Sequence, residues 1–135
     1  MPSVSPTVEL GRVTDGGVAP AIMAIVDRGA RCRPEQAGAL RAEIELNIQE
    51  RYPPVRIEFY GGRVLVEDGS AAEPDLRVTG TLPDLVSLMV APLVGGVPNP
   101  IAARGRTALG LMAQRRVRVE GRIGLMRQFL AVIRI

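Results

Sequence analysis

The chain contains no His, no Trp and no Lys, and all 17 of its basic residues are Arg. Each absence excludes a chemistry. Without His there is no Ser-His-Asp or Cys-His nucleophile and no imidazole metal ligand. Without Lys there is no Schiff-base amine and no GxxxxGK[ST] phosphate loop. With Cys32 as the one cysteine, no internal disulfide forms, which suits a reducing, cytoplasmic compartment. Cys32 itself reads as an incidental thiol. The residues predict no enzyme activity, no cofactor and no metal.

Aromatic residues are scarce too: Tyr52, Phe59, Tyr60 and Phe129. The sequence pI is near 10.0, yet 17 Arg against 14 carboxylates leave a net charge of only +3. Arg raises the pI because guanidinium does not titrate in this range. The Arg residues are scattered among the acids instead of forming a basic stripe with stacking aromatics, so no nucleic-acid partner is expected. Gly121-Arg122-Ile123-Gly124 matches a GxxG phosphate clamp, but it joins a strand to a helix, where glycine is ordinary turn chemistry.

One long uncharged run exists, 19 residues from Leu85 to Ala103. Pro92, Gly95, Gly96, Pro98 and Pro100 break it into pieces too short to cross a bilayer, so no integral membrane insertion is expected. The N-terminus lacks the basic region of a secretory signal.

What is present is an apolar fraction of 47% in 135 residues, enough for one core. Residues 1–17 read as a flexible tail and 18–135 as a single domain. A short helix spans Ala19 to Arg28 with Gly29 as its terminator, and Pro34 opens another turn or two. From Leu40 the apolar period becomes two: Leu40, Ala42, Ile44, Leu46 and Ile48 alternate with polar residues through Gln49. A helix would put Glu43 and Asn47 on its apolar face, so the spacing predicts a strand. Ile44, Leu46 and Ile48 are expected inside, with Glu43, Glu45 and Asn47 in solvent.

Val55, Ile57 and Phe59 mark a second strand, turned at Gly61-Gly62 into a third with Val64 and Val66 inward. Leu76 to Thr79 gives a fourth. Thr81 caps a helix carrying Leu82, Leu85, Val86 and Met89 on one face. Asn99-Pro100 caps another over about 101–114, with Leu109, Met112 and Ala113 apolar. Arg116 to Glu120 is a fifth strand, closed by Gly121, and 123–133 a final helix with Ile123, Met126, Phe129, Leu130 and Ile133 on one side. The fold class is α+β: about five strands in a mostly antiparallel sheet, with helices covering one face.

These apolar helix faces admit two readings. They form a solid core, or, with few aromatics to fill it and Met on several faces, they border a cavity. The strand RAEIELNI, the VRIEFYGGRVLVEDG hairpin, PDLRVTGT leading into a helix, and RVRVEG before an amphipathic terminal helix together resemble the sterol carrier protein family. The match runs from about Asp27 to the C-terminus. The resemblance implies an apolar tunnel for fatty acyl chains, sterols or similar lipids, and no catalysis. Taken from the helix faces, the expected lining is Leu85, Met89, Leu109, Met112, Met126, Phe129 and Leu130, with the segment from Pro92 to Pro100 at the entrance. The C-terminus lacks the Ser-Lys-Leu address of some members. A second function class stays open: a non-catalytic accessory or oligomerisation module, whose apolar surface binds a protein partner, as homodimer or beside an enzyme.

Overall fold

A computed structural model describes residues 6–49, 52–89, 93–94, 97–98 and 117–133. The elements in chain order are β1 (Thr7–Leu10), α1 (Ala19–Cys32), α2 (Pro34–Ala39), β2 (Arg41–Ile48), β3 (Val55–Tyr60), β4 (Arg63–Asp68), β5 (Leu76–Gly80), α3 (Leu82–Met89), β6 (Leu93–Val94), β7 (Val97–Pro98), β8 (Arg118–Gly121) and α4 (Ile123–Ile133).

The main sheet has six strands in the order β1-β4-β3-β2-β5-β8. Pairs β2–β3, β3–β4 and β5–β8 are antiparallel, whereas β1–β4 and β2–β5 are parallel. The α+β class stands, but the sheet is mixed and has one strand more than the sequence pattern indicates. The extra strand is Thr7–Leu10, which the sequence reading leaves in the flexible tail. Four residues between Pro6 and Gly11 are too few to display a period, and their ladder partners are Arg63 to Val66, far along the chain.

The alternation in β2 has its expected effect. Ile44, Leu46 and Ile48 are buried, and the register sets Ile44 beside Ile57 and Leu76, and Ile57 beside Val66. This apolar row lies on the inner face, which packs with α1 and α4 into one cluster containing Ile22, Val26, Phe129 and Ile133. Phe59 of β3 meets Phe129 of α4 edge to face, with ring centroids 6.2 Å apart.

Gly29 does not terminate α1, which runs on to Cys32. It is buried, and a Cβ there would strike the backbone carbonyl of Val132 in α4. The glycine lets two helices approach backbone to backbone. Gly121 combines a φ of 111° with a similar approach to the Asp75 carbonyl, so no other residue suits the end of β8. At α3, the Thr81 hydroxyl accepts from the Asp84 N–H at 3.4 Å, the expected N-cap.

Within the stretch from Pro92 to Pro100, β6 and β7 pair as a small antiparallel ladder. The rest of that stretch and the helix expected over 101–114 lie outside the described residues.

Candidate ligand-binding site

The expected lining residues come from α3, the 101–114 segment and α4. Leu85 of α3 and Met126, Phe129 and Leu130 of α4 are all buried, and all belong to the cluster on the sheet's inner face. Their spacing explains this: 126, 129 and 130 fall on one side of a helix. Leu109 and Met112 lie outside the described residues, as does the side chain of Met89 at the end of α3. Sequence periodicity passed over Leu125 and Val132, which are also buried on α4. α4 contacts β5 and β8 as well as α1 and α2, so its buried stripe is broader than a single a/d-like line.

Asp68, at the end of β4, is almost wholly buried. It accepts from the N–H of Ala19 at 3.2 Å and of Thr14 at 2.9 Å, which holds the start of α1 against the sheet. Glu45 and Glu58 are buried on the opposite, outer face.

Glu45 is a correction, because the strand pattern places it in solvent. The chain passes from β4 to β5, two parallel strands separated by β3 and β2, by crossing the outer face through residues 69–75. That crossing brings the Ala71 N–H to Glu45 at 2.8 Å, while the Arg77 Nε donates to the same carboxylate at 2.5 Å. Glu45 is therefore covered but fully partnered. Arg56 similarly gathers Glu43 (3.2 Å), Glu67 (2.8 Å) and Glu58. Beside the crossing runs a polar groove of about 580 Å³, lined by Glu45, Asn47, Arg77, Thr79, Arg118 and Glu120 among others. In the sequence, this face is marked by the polar positions Glu43, Glu45 and Asn47 of the alternating strand.

The two sides of the sheet thus differ in chemistry: ion pairs outside, and inside an apolar layer with Asp68 at its edge, bonded to the start of α1. Among the described residues no group of His, Cys, Asp or Glu is placed to hold a metal ion, and no helix is long and apolar enough to cross a membrane. Neither a protein-family model nor a curated protein matches the sequence.

Solved structures do match. They include sterol carrier protein domains, and this chain has that fold. It is similar to the SCP2 protein UbiJ, described as a ubiquinone synthesis protein, with a TM-score of 0.59 and 14% identity over 86% of this chain and 89% of that one. It is similar to palmitated SCP2L2 from Aedes aegypti, with a TM-score of 0.54 and 20% identity over 87% and 94% of the two chains. A third match is the stereoselective inverting sec-alkylsulfatase Pisa1 from Pseudomonas sp., at a TM-score of 0.59 and 17% identity. There, 84% of this chain corresponds to 16% of the much longer enzyme.

Proposed function

We propose that this chain is a non-catalytic carrier that binds, and passes on, fatty acyl chains, sterols or similar lipids between the inner face of the sheet and its helices, in the cytoplasm. The observation that carries this reading is the apolar layer of Leu85, Met126, Phe129 and Leu130, set on a fold shared with a palmitated protein. Met89, Leu109 and Met112 complete the proposed lining. Dispersion and water release drive such binding, so no charged partner is needed.

The test is titration with a fluorescent fatty acid, together with native mass spectrometry of gently purified protein. Saturable, salt-insensitive binding at one site, or co-purified lipid, is the expected result. Met126→Trp is expected to abolish binding by filling the site while the fold persists.

The second reading, an accessory or oligomerisation module beside an enzyme, is favoured by one observation: the similar region of the alkylsulfatase makes up a small part of that enzyme. Absence of any saturable lipid binding, combined with unfolding of Met126→Trp, favours it over the carrier.

A further inference from the structure

β8 lies at the end of the main sheet, and among the described residues no strand pairs with its outer edge. Its ladder determines which backbone groups face outward. The Arg122 N–H donates to the Asp75 carbonyl at 3.1 Å. In an antiparallel ladder such inward-bonded residues alternate, so positions 118, 120 and 122 turn their amides towards β5. Val119 and Gly121 turn their N–H and C=O groups to the open edge.

The side chains on the outer face carry a second message. Opposite charges alternate across five strands in register: Glu67 beside Arg56, Arg56 beside Glu45, Glu45 beside Arg77, and Arg77 beside Glu120. The row ends on Glu120, which is exposed and only 3.9 Å from an Arg77 already committed to Glu45. Arg118, two positions away on the same face, is exposed and pairs with no described carboxylate.

We propose that β8 pairs with β8 of a second copy of this chain, antiparallel about a two-fold axis through Val119. In that register each Val119 donates its N–H to, and accepts at its C=O from, the partner's Val119. Arg118 falls opposite the partner's Glu120, and Glu120 opposite the partner's Arg118. The neighbouring registers that also keep the outward amides paired set Arg118 against Arg118, or Glu120 against Glu120. Like charges directly opposed are unfavourable, so charge selects the one register. The alternating row then gains one further member across the axis, the partner's Arg118. A two-fold interface must be self-complementary, and a strand with Arg and Glu flanking a central outward amide meets that requirement. This explains why the open edge is matched to a second copy of the chain in particular.

Sedimentation equilibrium of the full chain tests this. The wild type is expected to dimerise at concentrations on the order of 100 µM, as suits a short edge interface. Arg118→Glu and Glu120→Arg each oppose like charges twice and are expected to weaken self-association by about tenfold or more. An equimolar mixture of the two variants restores both opposite-charge contacts, so heterodimer is expected at wild-type strength. Val119→Pro deletes the outward N–H without touching the β5 ladder and is expected to be a folded monomer by circular dichroism. A wild type that stays monomeric through about 500 µM overturns the proposal, leaving the edge to a strand of another protein. So does a dimer that neither charge reversal weakens, or a mixture that fails to recover.

Discussion

Ile44 and Gly29 are fixed by opposite demands, one for volume and one for its absence. Ile44 is fully buried at the centre of the inner row, between Ile57 and Leu76. Ile44→Asp places an unpaired charge there and is expected to cost on the order of 3 to 5 kcal/mol, measured by urea unfolding. Gly29→Ala drives a methyl into the Val132 carbonyl, where backbone and not a flexible side chain must yield. An expected loss of about 1 to 3 kcal/mol by thermal unfolding checks that contact. The first residue announces itself by alternation. The second does not: a glycine required by a neighbour more than a hundred positions away looks, in sequence, like any helix-ending glycine.

Among the elements, local periodicity reported well and long-range connection did not. β2, β3, β4, β5 and α4 follow from apolar spacing and from the turn residues Gly61, Gly62 and Gly121. β1 was hidden because its pairing with β4 is parallel and distant. The same blindness hid the crossing of residues 69–75 over the outer face, and with it the burial of Glu45. On the site itself, helix spacing singles out Met126, Phe129 and Leu130 correctly as inward, since a face can be read from period alone. Whether such a face meets solid packing or a ligand depends on what stands opposite, which spacing does not encode. The Glu45–Arg77 pair yields an element-scale prediction. Arg77→Ala leaves a covered carboxylate with only the Ala71 N–H and is expected to cost on the order of 3 kcal/mol. Glu45→Ala combined with Arg77→Ala is expected to cost clearly less than the sum of the single changes, a coupling measured by a double-mutant cycle.

At the scale of the whole molecule, the sheet separates two kinds of surface. The outer face holds its charges in pairs across neighbouring strands, so its contribution is sensitive to salt and to single charge removals. The inner face gathers apolar side chains from α1, α2, α3, α4 and the six strands of the main sheet, and it is this side that the carrier reading assigns to a lipid. An acyl chain of about 16 carbons releases roughly 12 kcal/mol at ~0.8 kcal/mol per buried methylene, and association costs of at least ~4 kcal/mol leave affinity near the micromolar range. The most direct measurement is a titration of a fluorescent long-chain fatty acid into the purified chain at low and high salt. Saturation at one equivalent with a micromolar Kd, nearly unchanged by salt, is the predicted result; a signal that never saturates, or that disappears as salt rises, contradicts it.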